Sequence, residues 1–187
     1  MKRRDYVSTI AVFVGSLKEQ SLNKRLAKTL ESLAPEGMIF TYIDLNMPLF
    51  NQDLEADYPV SAQVAKDIVA SADGILIVTP EYNRGLPGVL KNAIDWVSRP
   101  YGANSFAGKP TGVVGISPTP VGTAMAQASL RPILAFLDAK QLGRPEIYIA
   151  NASDAMFDEQ GIIIDEHWRK NLQLYMESFA KWVRKGA

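Results

Sequence analysis

The chain has 187 residues, 47% apolar and 21% charged, and its 20 basic residues equal its 20 acidic ones. These proportions describe an ordinary globular protein with one substantial core, and the charge balance lacks the basic footprint of a nucleic-acid binder. With no cysteine and a lone histidine, His167, disulfides, thiolate catalysis and iron–sulfur ligation are excluded, and a transition-metal site is a poor expectation.

Apolar runs then alternate with amphipathic stretches. Val7–Val14 is nearly continuous in apolar residues, as a strand covered on both faces is. It is far shorter than the roughly 18 residues of a membrane span. The basic start, Met1-Lys2-Arg3-Arg4-Asp5, precedes it, but no small-residue cleavage site follows, so no signal peptide is read and a cytoplasmic location is expected. Ser21–Leu33 carries Leu22, Leu26, Leu30 and Leu33 at helical spacing. Met38–Asp44 reads as a second strand that opens into an irregular Asn46–Asp57 loop. Val60–Ala72 reads as a helix with Val64, Ala65 and Ile68 inward. Gly74–Thr79 is the third strand and Leu86–Val97 the third helix. After a Pro100–Pro110 connection come a fourth strand (Thr111–Ser117), a fourth helix (Thr123–Lys140), a fifth strand (Glu146–Ala150) and a closing helix (Asp165–Lys185).

Five strands separated by helices, with no hairpin dipeptides between them, predict a single α/β domain over residues 1–187. It is a three-layer α/β/α sandwich around a five-stranded parallel sheet of order 2-1-3-4-5. In such open sheets ligands bind beyond the carboxyl ends of the strands. Gly15-Ser16-Leu17-Lys18-Glu19-Gln20-Ser21-Leu22-Asn23 follows the first strand and leads into a helix N-terminus. Its hydroxyls, amide, lysine and unpaired helix N–H groups suit a phosphate. Neither GxxxxGK[ST] nor GxGxxG is present, which disfavours a nucleoside triphosphate or a dinucleotide in a Rossmann crevice. Asp44, where a Rossmann enzyme keeps its ribose-binding acid, therefore gains little support for that role. Ser21 also reads well as a plain helix N-cap.

After the third strand the chain stops at Pro80 and continues Glu81-Tyr82-Asn83-Arg84-Gly85, a stiff loop with an aromatic and an amide. The fourth strand ends in Ser117-Pro118-Thr119-Pro120, a second stiff turn. A phosphate at the first loop and a flat ring between the third and fourth describe flavin mononucleotide.

These residues carry a resemblance. Gly15-Ser16-Leu17-Lys18 with Ser21 and Asn23, then Thr79–Asn83, Pro87-Gly88 and Leu90-Lys91-Asn92-Ala93-Ile94-Asp95-Trp96, resemble the NADPH-dependent FMN reductase family, most closely its chromate and quinone reductase branch. The resemblance implies a flavodoxin-like fold, non-covalent FMN, and two-electron transfer from NADPH or NADH to quinones, flavins, azo compounds or metal oxyanions such as chromate. It implies a homodimer or homotetramer with the flavin near a subunit contact, to which Leu86–Trp96 looks suited, and no nucleic-acid or membrane partner. By position Ser16, Lys18, Ser21, Leu22 and Asn23 hold the FMN phosphate, Pro80, Glu81, Tyr82 and Asn83 meet the ring and ribityl chain, and Ser117 lies beside the ring. No catalytic side chain is implied, because hydride transfer rests on the cofactor.

Three positions depart from the family pattern. Lys18 stands where arginine is commoner, Arg84-Gly85 follows Asn83, and Ser117–Pro120 replaces a glycine-rich turn. Arg84 is read either as a partner for the 2′-phosphate of NADPH or as an interface charge. The alternative function is a flavodoxin-type electron carrier, which is usually strongly acidic where this chain is neutral.

Overall fold

The computed structural model describes residues 7–186, so the basic start from Met1 to Asp5 lies outside the described residues. The strands are β1 (Ser8–Val14), β2 (Met38–Ile43), β3 (Gly74–Val78), β4 (Pro110–Ile116), β5 (Lys140–Gln141) and β6 (Ile147–Ile149). The helices are α1 (Leu22–Ser32), α2 (Val60–Ser71), α3 (Gly88–Val97), α4 (Ala124–Phe136) and α5 (Glu166–Gly186). All strands pair in parallel in the order β2-β1-β3-β4, with β5 and β6 both along the outer edge of β4. This is the flavodoxin-like sheet expected from the sequence.

Side-chain alternation along each strand splits the core in two. Ile10, Val12, Leu76, Val78, Val114 and Ile116 face α1 and α5. Ala11, Phe13, Ile75, Ile77 and Val113 face α2, α3 and α4. Every residue of β3 and β4 is buried, which explains why those runs show no polar alternation. Ser21 caps α1 through its hydroxyl, and α3 starts at Gly88 behind Pro87, whose backbone is extended, rather than at Leu86. Acid in the first turn of α5 (Glu166) and base in its last (Arg184, Lys185) suit the helix dipole.

Local details differ from the sequence expectation. In α2 the buried stripe is Ala62, Ala65 and Val69, while Val64 is exposed: the alanines at i and i+3 admit close packing beside Val69 at i+7, and Val64 lies off that line. The fourth helix ends at Phe136 instead of Lys140, because Asp138 turns left-handed with φ 54° and releases Lys140 into a strand. The fifth sheet position is shared. Lys140–Gln141 pairs with the start of β4 and Ile147–Ile149 with its end. Gly143 and Pro145 fall between them, and a proline has no N–H for the ladder.

Helix α3 turns Leu90, Ala93, Ile94, Trp96 and Val97 into this subunit's own core, leaving Lys91 paired with Asp95 at 2.8 Å on the outside. Each large apolar side chain so buried contributes about 1.5–3 kcal/mol.

Candidate functional site

Parallel register brings three loops together. Val14 lies beside Val78, and Val78 beside Val114, so the segments after β1, β3 and β4 leave the sheet as neighbours. Backbone bonds continue past the strand ends, from Gly15 N–H to Val78 O at 2.9 Å and from Thr79 N–H to Val114 O at 3.0 Å. Two glycines permit this closeness. A Cβ on Gly15 would lie 3.1 Å from the Pro80 ring, and one on Gly115 would collide with the Thr79 carbonyl and the Thr123 hydroxyl. The sequence signal for Gly115 was available, since a glycine inside an apolar strand marks close approach of another backbone.

The first loop presents donors at the α1 N-terminus. Ser21 Oγ accepts from Asn23 N–H at 3.2 Å and from Lys24 N–H at 3.4 Å, so the capping role is real. Its own O–H points at no protein acceptor among the described residues, and the buried Ser16 hydroxyl likewise has none. Among the described residues, the N–H groups of Leu17, Lys18, Glu19 and Leu22 have no protein acceptor either. Lys18 is exposed beside them, while Leu22 packs against the core. Asn23 is different. Its amide is buried and pairs both ways with Ile116, Nδ2 donating to the carbonyl at 2.9 Å and Oδ1 accepting the N–H at 3.2 Å. The Asn23 side chain therefore ties α1 to the end of β4 instead of facing the loop's open side.

The loop after β3 is a two-residue hairpin. Tyr82 and Gly85 exchange both backbone bonds, at 3.1 and 3.0 Å, around Asn83 and Arg84. Both central residues have positive φ, 51° and 64°, the pattern of a type I′ turn. An arginine held left-handed costs about 1–2 kcal/mol. Pro80 is buried at the base of the turn, and Tyr82, Asn83 and Arg84 are exposed at its tip. The N–H groups of Glu81, Asn83 and Arg84 are without protein acceptors among the described residues. The Glu81 carboxylate is buried and turned away from that tip: Oε2 accepts from Met125 N–H at 2.9 Å and Ala126 N–H at 3.1 Å, and Oε1 lies 3.3 Å from Arg84.

In the loop after β4, Ser117 is buried, donates its N–H to Ile149 O at 2.9 Å, and accepts Thr119 N–H on its hydroxyl at 3.2 Å. Its neighbours Pro118, Thr119 and Pro120 are exposed.

Residues of the Asn92–Trp96 motif serve the loop after β2. Asn92 Nδ2 and Trp96 Nε1 both donate to Pro48 O, at 2.9 and 2.8 Å, and Asn92 Oδ1 accepts Phe50 N–H at 2.7 Å. Phe50 and Tyr58 pack edge-on against the Trp96 ring. A cavity of about 620 Å³ flanks the first loop, lined by Ser16, Leu17, Lys24, Lys28, Tyr42 and Asp44. Burial first, then the hydrogen bond to Glu31, pushes the Tyr42 phenol pKa up, so it stays a donor. Asp44 accepts Asn46 N–H at 2.9 Å. His167 is exposed on α5 beside Asn171. No cluster of His, Cys, Asp or Glu able to hold a metal exists among the described residues.

Residues 8–154 match the family model described as NADPH-dependent FMN reductase. The chain is 48% identical over 176 residues to a 2-hydroxy-1,4-benzoquinone reductase of a Burkholderia species, covering 94% of this chain and 96% of the relative. It is 41% identical to a quinone reductase of Pseudomonas putida, covering 95% and 96%. Among solved structures it is similar to FerB, a flavoenzyme NAD(P)H:(acceptor) oxidoreductase from Paracoccus denitrificans, with a TM-score of 0.91, 42% identity, and 96% and 99% of the two chains covered.

Proposed function

Because the chain belongs to the NADPH-dependent FMN reductase family, and is an FMN-dependent NAD(P)H oxidoreductase, we propose that its three adjoining loops hold the FMN. The N-terminal turn of α1 would hold the phosphate, and the Tyr82–Gly85 turn would meet the ring. The observation that carries this assignment is the set of unpartnered N–H groups in both loops. The donor set fits the cofactor: a phosphomonoester only accepts hydrogen bonds, and the first loop offers amides, two hydroxyls, Lys18 and the positive end of a helix. Ring carbonyls are likewise acceptors, and the Glu81, Asn83 and Arg84 amides at the second loop are donors.

When bound, FMN supplies the two-electron chemistry that carries hydride from a reduced nicotinamide to an acceptor. The chain's own part is binding and orientation. Ser16 and Ser21 hydroxyls and the Leu17–Glu19 amides would hold the phosphate, and the Pro80–Gly85 turn would meet the ring with amides that favour negative charge there. Asn23 and Ser117 act one step back, by holding α1 and the β4 loop in place. The names of the relatives support quinones as the acceptor class, and Arg84 at the exposed tip of the turn suits the 2′-phosphate of NADPH.

A homodimer or homotetramer is part of the same reading. Tyr101 and Phe136 are 90% and 84% exposed on the rim of a cavity of about 680 Å³ between α3 and α4, where a second subunit would cover them. Residues 1–187 act as a single FMN-binding domain in the cytoplasm. In support, two core clusters share one sheet, no cysteine occurs, and no helix among the described residues is long and apolar enough to cross a membrane.

The test is a visible spectrum of the purified, FMN-reconstituted protein followed by anaerobic titration with NADPH and then a benzoquinone. Flavin bands that bleach with NADPH and return with the quinone are expected. A protein that binds flavin but is not bleached by NADPH or NADH would be an electron carrier instead.

A further inference from the structure

We propose that Glu81 is a positioning residue whose carboxylate bolts the turn after β3 to the first turn of α4, and so sets the spacing between the β3 and β4 loops that flank the flavin ring. The proposal rests on the cofactor assignment above. Helix α4 starts without a cap of its own: Thr123 at the N-cap position makes no side-chain cap bond, and no acidic residue occupies the first turn. The Thr123 hydroxyl is instead engaged internally by Gln127 Nε2 at 3.0 Å. The first-turn N–H groups of Met125 and Ala126 would otherwise lack acceptors. Glu81 Oε2 takes both, from 44 and 45 residues upstream.

The arrangement is costly to build and so is informative. The Glu81 side chain is 5% exposed, and a buried carboxylate is tolerated only when it is hydrogen-bonded. Its partners are the two α4 amides and Arg84, and the arginine side chain is 64% exposed. A pair with one partner so solvated contributes little, so the helix cap is the dominant interaction. At the other end of the turn, Asn83 and Arg84 sit in left-handed conformations. Such a turn persists only where its surroundings hold it. The Tyr82–Gly85 pairing holds the tip, and Glu81 holds the base. The side chain that sequence position assigns to the ring is thereby turned toward the helix, leaving the loop's amides and Tyr82 for the cofactor.

Two variants separate the latch from the charge. A glutamine carbonyl can accept both α4 amides as Oε2 does, whereas alanine releases them. Amide hydrogen exchange on flavin-free protein is the first measurement. Glu81→Ala should speed exchange at Met125, Ala126, Tyr82 and Gly85, whose amides are hydrogen-bonded, by about tenfold, and Glu81→Gln by less than about threefold. On reconstituted protein the FMN dissociation constant should follow the same order, and the visible circular dichroism of the flavin should change in Glu81→Ala and be restored in Glu81→Gln. Exchange in Glu81→Ala equal to wild type overturns the latch, as does a Glu81→Gln no better than Glu81→Ala. Were Glu81→Ala unable to fold, Glu81→Gln alone decides, because lost protection in that variant refutes the cap. A wild-type protein that takes up no FMN sinks the cofactor assignment, and flavin-free exchange still decides the latch.

Discussion

Replacing Ser21 with aspartate should keep the helix cap while expelling the cofactor phosphate. Ser21 Oγ accepts the Asn23 and Lys24 N–H groups at 3.2 and 3.4 Å. Aspartate is as good an N-cap as serine, and a carboxylate at a helix N-terminus adds about 0.3–1 kcal/mol. The flavin-free protein should therefore unfold at the wild-type temperature or slightly above. A phosphate held by the same helix terminus would lie about 4 Å from the new charge, where like unit charges repel by about 4 kcal/mol at an effective dielectric constant of about 20. Counterions and Lys18 remove part of this, and retention of about half predicts FMN binding weaker by roughly 30-fold. Ser21→Ala should behave in the opposite way, losing about 1 kcal/mol of stability with the cap and less affinity than the aspartate variant. Fluorescence titration of flavin-free protein with FMN, beside thermal unfolding of the same samples, reads both quantities. A folded Ser21→Asp that binds FMN within about threefold of wild type would falsify the phosphate assignment.

Asn92→Ala should remove two hydrogen bonds to the loop after β2, lowering stability by about 2 kcal/mol and the melting temperature by about 4–8 °C; an unchanged melting temperature would deny the clamp. Gly115→Ala pushes a methyl group into the Thr79 carbonyl and the Thr123 hydroxyl, and should cost about 1–3 kcal/mol while weakening FMN retention; wild-type denaturant midpoint and flavin content would show that the loops are not packed this closely. Lys66 donates to Val97 O at 3.3 Å, to Ser105 Oγ at 3.3 Å and to Ala103 O, and burial holds its pKa below 10.5, against the opposing pull of Asp67. The folded state thus sheds this proton first, so the group's contribution to stability rises with pH between its lowered value and 10.5. Lys66→Met should lack that rise, and denaturation curves at neutral and alkaline pH that keep a constant gap between the two proteins would contradict it.

The layered fold was legible because β1, β3 and β4 are covered on both faces and so appear as nearly continuous apolar runs. The loops proposed to hold the cofactor stand out for a related reason: glycine, proline, serine and asparagine cluster where those runs stop. Which way a side chain turns inside a loop was not. Asn23 and Glu81 read as ligand residues, yet their partners are Ile116, 93 positions away, and the α4 amides, 44 and 45 away. Nothing local encodes such pairings. Val64 went astray because a valine outranks an alanine in hydrophobicity, whereas close packing at that stripe favours Ala62 and Ala65. The interrupted edge strand had a visible signal in Gly143 and Pro145.

The bond between Asn23 and Ile116 also bears on the order in which the molecule becomes competent. It joins the first helix to the end of a strand laid down after more than half of the chain, and the Glu81 contact bridges a further gap. A nascent or partly unfolded polypeptide therefore has each loop but no receptor, because the walls are defined only once distant segments have closed on one another. At the proposed site cofactor uptake would be a late event, and captured flavin would draw the population toward the closed chain by mass action. Flavin supply would then govern how much of this protein survives in a cell, as well as how fast it turns over.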